Sequence, residues 1–183
     1  MAKDGGLREG TLTKRAGIPL DDAHPFMDEQ ARLSSVLTGV AGEYFVGAEL
    51  SRRGYVASIT LRNTRGIDLL VSNVDASKAV GIQVKTKQGK ARDWILNQKV
   101  EDYHSDSLFY IFVNLPEDGS PPEFFIVPSK VVATHAKEYH QQWLAAPGKK
   151  GQKHRDNPMR KFHDKDGVFL NKWDLLALKS LAR

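Results

Sequence analysis

The run LFYIFVNL, residues 108–115, places seven apolar or aromatic side chains in eight positions with no alternation. A water-soluble chain accommodates such a run as a strand covered on both faces or as a piece of buried helix. Its length and its β-branched and aromatic content select a central strand. The rest of the chain must therefore supply two apolar covers. At 183 residues and 20.4 kDa it is long enough to do so within one domain.

The flanking segments read as those covers and their connections. EDGSPP breaks the chain after the run, and EFFIVP resumes as a strand, which makes a hairpin with a Pro-rich turn. Ser129 is placed to cap a helix from about Lys130 to Ala146, closed by Pro147 and Gly148. Before the run, Ala91–His104 reads as a helix with Trp94, Ile95, Val100 and Tyr103 on its apolar surface. Ile67–Val71 and VGIQVKT read as strands joined by SNVDASKA into an antiparallel hairpin, and Tyr55–Leu61 as a further strand. From about Pro25 to Gly54, the residues Leu33, Val36, Leu37, Val40, Ala41, Tyr44, Phe45 and Ala48 recur at the helical period and predict a helix with that stripe inward. A last helix starts near Asn171 and carries Trp173, Leu176, Ala177 and Leu181; its apolar face serves either the chain's own core or a homodimer. The sum is an α/β architecture, one mixed sheet flanked by helices. Residues 1–24 form an arm, 25–146 the core domain, and 147–183 a basic loop with the final helix.

Composition narrows the chemistry. There is no Cys, which removes disulfides, thiolate metal sites and thiol nucleophiles and fits a reducing, cytoplasmic setting. No apolar run has transmembrane length, and MAKDGGLREG lacks the apolar stretch of a signal peptide, so no membrane association is expected. The six His residues lack tight metal spacing; His135 and His140 are five apart and diverge on a helix. His154 and His163 sit in the basic loop, where a raised pKa would add charge near a phosphate. Formal charge is +5, and +4 of it falls between Pro147 and Asp166, where seven Lys or Arg face three Asp. That loop is either solvated or faces nucleic acid, through Lys149, Lys150, Lys153 and Arg155.

Polar residues interrupt the second hairpin where apolar ones are expected. Alternation places Gln83 and Lys85 on one side of their strand and Ile82, Val84 and Thr86 on the other. With the turn near residues 75 and 76, Asp68 lies opposite Gln83, and Glu43 lies near the apolar stripe of the first helix. Two carboxylates, the Gln83 amide oxygen and the Val84 carbonyl are hard ligands suited to Mg²⁺ or Mn²⁺. Lys85 would stand beside the ion, orienting a water and offsetting charge on a phosphorane-like transition state. The set has a clear use in phosphodiester hydrolysis. Trp94, Trp143, Tyr103 and Tyr110 read as core residues rather than base-stacking platforms.

The order of these motifs resembles the restriction-endonuclease-like superfamily, the PD-(D/E)xK nucleases. GEYFVGAELSRRGYVAS is similar to the first helix of archaeal Holliday-junction resolvases, with Glu43 in the place of the helix acid. RGIDLLV matches the strand that carries Asp68, and GIQVKTK the strand with the second motif, in which Gln83 replaces the usual acid as in the Mrr-type branch. The resemblance covers about Val40 to Gln88. It implies a three-layer fold with a central mixed sheet, and a metal-dependent endonuclease acting on nucleic acid, DNA in particular, with catalytic Glu43, Asp68, Gln83 and Lys85 and homodimers among its members. Arg52, Arg53, Arg62 and Arg65 at the front edge, with Thr86, Lys87, Lys90 and Arg92 along and after the motif strand, would contact phosphates. The alternative is a non-catalytic member of the same fold that binds nucleic acid or a protein.

Overall fold

The computed structural model of the protein describes residues 33–61 and 66–178. The expected arm, the helix start at Pro25 and the helical end at Leu181 lie outside the described residues. The elements are α1 (Ser35–Arg52), β1 (Val56–Ile59), β2 (Leu69–Ser72), β3 (Ala79–Gln88), β4 (Asp93–Asn97), a 3-10 turn at Gln98–Glu101, β5 (Leu108–Leu115), β6 (Glu123–Pro128), α2 (Ser129–Ala145), β7 (Met159–His163) and a second 3-10 turn at Trp173–Leu176. Five strands form one mixed sheet in the order β1-β2-β3-β5-β6, with β3 and β5 parallel and the other neighbours antiparallel. β4 and β7 form a second, antiparallel pair. The α/β class and the mixed sheet are as expected.

All eight residues of β5 are buried. Ile111 and Val113 face the core beneath α1, with Val46, Leu50, Leu69, Val71 and Ile82; Tyr110 and Phe112 face the opposite core, with Trp94, Phe125, Phe162 and Val132. Among the described residues no helix is long and apolar enough to cross a membrane.

Four local expectations are corrected. The segment expected as a helix over Ala91–His104 is β4 followed by a 3-10 turn. Trp94 and Leu96 are buried while Ile95 between them is exposed, a period of two, and β7 supplies the partner. A long-range partner thus overrides a local pattern that reads either way. The basic segment 147–166 consequently contains a strand. Ser129 does not cap α2; Pro128 occupies the cap, and the buried Ser129 hydroxyl donates to the Ser105 carbonyl and accepts from the Ser105 N–H. The last expected helix is a single 3-10 turn ended by left-handed Ala177, and its Trp173 and Leu176 complete the chain's own core.

The fourth correction concerns α1. Ser34 caps it by accepting from the Leu37 N–H, but the inward seam is Thr38, Gly42, Val46 and Leu50. The expected stripe is largely outside: Val36, Leu37, Tyr44 and Phe45 are exposed. The helix turns on Gly42, where a Cβ would lie 1.8 Å from the Thr86 Oγ1 and 2.8 Å from its Cβ. Only glycine lets the helix backbone approach β3 so closely.

We expect Gly42→Ala to lower stability in urea by about 1–3 kcal/mol through overpacking, against the helix propensity gain of about 1 kcal/mol. Thr86→Ala in the same chain should recover part of the loss, as a double-mutant cycle would register.

Candidate active site

β2 begins pairing at Leu69, opposite Ile82, so the register continued by one residue would set Asp68 opposite Gln83, the hairpin's expectation. The entry to β2 is irregular. The Asp68 N–H donates to the Ile82 carbonyl at 2.8 Å, although Leu69 is the register partner of Ile82. Such an offset bends a strand and re-aims a side chain. The Asp68 carbonyl accepts from the Thr60 N–H at 2.9 Å, and the Thr60 hydroxyl donates to the Ile67 carbonyl at 2.6 Å. The Asp68 carboxylate thereby turns onto the edge of β3, where Oδ2 accepts the Val84 N–H at 2.7 Å. In an extended strand the N–H and C=O of one residue point to the same edge. The Val84 carbonyl therefore faces the side of Asp68, past the last residue of β2 that pairs.

Gln83 and Lys85 are register partners of Tyr110 and Phe112 and share their face, away from α1. They line a groove of about 550 Å³ whose walls include Leu96, Val100, Tyr103 and Tyr110. Glu43 and Asp68 line a second groove of about 330 Å³ on the α1 side, with Val40, Thr60 and Ile67. The four expected side chains thus lie in two grooves adjoining the same stretch of β3, and Asp68 is the link. Its charge is felt at Tyr110, whose hydroxyl is pushed up to about 12 by burial first and by Tyr103 and Asp68 after it. That hydroxyl remains a proton donor throughout the neutral range. Among the described residues no three His, Cys, Asp or Glu side chains gather as a metal-binding group. The expected ligand set has only two carboxylates and relies on the Gln83 amide and the Val84 carbonyl for the remainder.

The expected phosphate contacts separate. Lys149, Lys150, Lys153 and Arg155 are exposed on a loop closed by a Pro147–Lys153 bridge and anchored by His140 Nε2 to Asp156 Oδ1 at 2.8 Å and by His154 stacked on Trp143 at 4.0 Å. Arg62 and Arg65 lie outside the described residues. Arg52 and its neighbour Arg53, the C-cap, lie at the far end of α1, about 14–15 Å along the helix from Glu43. There both pair with Glu49, and Arg53 covers the Trp173 ring at 4.6 Å. Thr86 is turned under α1 with its hydroxyl buried and without a hydrogen bond. Lys87 is held by Asp93 at 2.9 Å, and that bond keeps the Asp93 carboxyl below its usual range. Lys90 pairs with Asp118 and Arg92 with Glu123. His163 sits in β7 against His135, and burial lowers the pKa of both rings, opposite to what a phosphate-facing His requires.

The sequence reading missed Tyr103. It is not core: 38% exposed, it stands on the groove rim beside Gly66, two residues before Asp68. The helix assigned to its segment concealed it.

No family model matches the sequence, and no curated protein shows a matching sequence. Two solved structures are similar in fold. One is a Holliday junction resolvase from the archaeal hyperthermophile Archaeoglobus fulgidus, 14% identical, with 79% of this chain and 98% of that one covered at a TM-score of 0.44. The other is a bacterial homing endonuclease, 16% identical, with 79% and 92% covered at a TM-score of 0.46. Likeness at this level carries no residue-by-residue correspondence.

The Asp68 bond to β3 has a measurable consequence. Asp68→Ala strands the buried Val84 N–H and should lower stability by about 1–3 kcal/mol in chemical denaturation. Asp68→Asn retains an oxygen acceptor and should lose clearly less.

Proposed function

We propose that the protein is a divalent-metal-dependent endonuclease that hydrolyses phosphodiester bonds in DNA. The observation that carries this reading is the Asp68 carboxylate fixed on the Val84 N–H, at the strand that bears Gln83 and Lys85. The donor chemistry fits Mg²⁺ or Mn²⁺, because Glu43, Asp68, the Gln83 amide and the Val84 carbonyl offer hard oxygens and neither Cys nor His lines either groove. A bound ion of this kind would polarise the scissile phosphate and make a water more acidic. Asp68 holds its orientation without reorganisation, since one oxygen is already tied to the backbone. Lys85 brings an ammonium to orient the attacking water and to offset the charge that develops on the transferred phosphoryl group. Gln83 supplies an oxygen without charge. The exposed loop cations Lys149, Lys150, Lys153 and Arg155 are offered as backbone phosphate contacts that add affinity but not sequence preference. A homodimer in a cytoplasmic setting completes the reading, two sites serving two strands.

A second reading is favoured by one observation: neutral Gln83 and Lys85 open on a different groove from Glu43 and Asp68. In that reading the fold binds nucleic acid or a protein without cutting.

Cleavage separates the two. Labelled linear, single-stranded and branched DNA, with RNA as comparison, should be cut in Mg²⁺ or Mn²⁺ and not in EDTA. Lys85→Ala and Asp68→Asn should each slow cutting by about 100-fold or more, with circular dichroism unchanged. Changing Lys149, Lys150, Lys153 and Arg155 to Gln should weaken binding to every sequence and reduce the salt slope by about 0.9 for each phosphate no longer neutralised. Binding without cleavage in any metal would establish the second reading, and absence of any nucleic-acid binding would refute the first.

A further inference from the structure

The groove beside Gln83 and Lys85 is more apolar than the handling of a phosphate requires. Its volume, about 550 Å³, falls within the range of about 300–1,000 Å³ typical of small-molecule sites. Leu96 and Val100 form an aliphatic wall and Tyr110 the floor, all three buried. Tyr103 stands at the rim in close contact with Gly66, which lines the same groove: Gly66 has φ +73°, and a Cβ there would lie 2.5 Å from the Tyr103 Cε1.

Polar groups sit around this apolar centre. Lys85 and Lys99 line the groove and suit the phosphates on either side of a nucleoside. Asn97 commits its Oδ1 to the Lys99 N–H at 3.1 Å, which leaves the amide N–H₂ as the end able to address a ligand. Asp102, also on the lining, repels phosphate but accepts from an exocyclic amine. A sugar-phosphate backbone alone gains nothing from Leu96, Val100 and Tyr110. A base inside a duplex presents only its edges, whereas a base out of the stack presents the π-face that aromatic rings bind.

We propose that this groove receives an unpaired nucleobase, so that the DNA recognised carries a single-stranded or extrudable nucleotide beside the bond presented to Asp68 and Lys85. The inference rests on the endonuclease reading and deepens it by naming the class of substrate. Tyr103 is the stacking surface, Leu96 and Val100 cover the other side of the base, and Asn97 with Asp102 meets its polar edge. Extruding a paired base requires unstacking, which is least unfavourable at a bulge, mismatch or strand end.

The test is binding, which needs no cleavage. Fluorescence anisotropy in Ca²⁺ would compare a labelled perfect duplex, the same duplex with a single-nucleotide bulge, and the bulge with an abasic nucleotide. The wild-type chain should bind the base-bearing bulge about tenfold or more tighter than either control. Tyr103→Phe should keep that preference, and Tyr103→Ala should erase it. 2-Aminopurine at the bulge should change its fluorescence with the wild type and with Tyr103→Phe, and not with Tyr103→Ala. The comparison of base-bearing with abasic DNA uses the wild-type protein and so holds even if a variant folds poorly. Equal wild-type affinity for those two, with binding intact, overturns the inference and leaves the endonuclease reading standing. Uniform weakening of all three DNAs by Tyr103→Ala in a folded protein also overturns it. No affinity for any DNA overturns the endonuclease reading itself.

Discussion

The parallel pairing of β3 with β5 obliges residues 89–107 to leave one end of the sheet and return to the other before β5 can begin. A helix is the usual bridge. Here the path is β4 and a 3-10 turn, pinned by Trp94 between the rings of Phe112 and Phe125 at 4.9 and 5.0 Å. The buried Arg160 of β7 donates to Glu101 of that turn and fixes its height over the sheet. Because the crossover runs on the side away from α1, it lays Leu96, Val100 and Tyr103 opposite Gln83 and Lys85. The groove is therefore a product of topology, and its two lysines sit on different layers of the molecule.

The opposite face follows another constraint, the contact of α1 with β3 through Gly42 and Thr86. Gly42 lets the helix backbone down onto the strand, and Glu43, the next residue, is carried to the sheet edge half-buried. The offset at Asp68 then completes the arrangement by directing a carboxylate along that edge rather than onto either face. Thr86 pays for this proximity with a buried hydroxyl that has no hydrogen bond.

What the sequence disclosed depended on whether a signal was local. β5 and β6 were legible because a continuous apolar run and a Pro-rich break need no distant partner to be interpreted. The β2–β3 hairpin was legible for the same reason, and with it the register that brings Asp68 to the edge of β3. DWILN was not: its residues satisfy a helical and an alternating pattern equally, and the choice lies with Met159–His163, far along the chain. The inward face of α1 was misread because its first half is made by Thr38 and Gly42, which carry little hydrophobic signal, so that the period draws the exposed Tyr44 and Phe45 into the stripe in place of Val46 and Leu50. For the candidate site, the residue types were readable, but the one-residue offset at Asp68 and the exposure of Tyr103 are consequences of the assembled sheet and the crossover.

The partnership of β4 with β7 also imposes an order of construction. Synthesis delivers α1 and β1–β3 well before residues 159–163, so the strand that forms one groove wall spends the interval without its partner. During that time Trp94 and Leu96 lack Phe162, and Glu101 lacks Arg160. Asp68 can reach the Val84 N–H on the early-emerging hairpin while the wall facing Lys85 still awaits its support. The edge that carries Asp68 and the groove beside Lys85 would then mature at separate moments, with the groove arriving last.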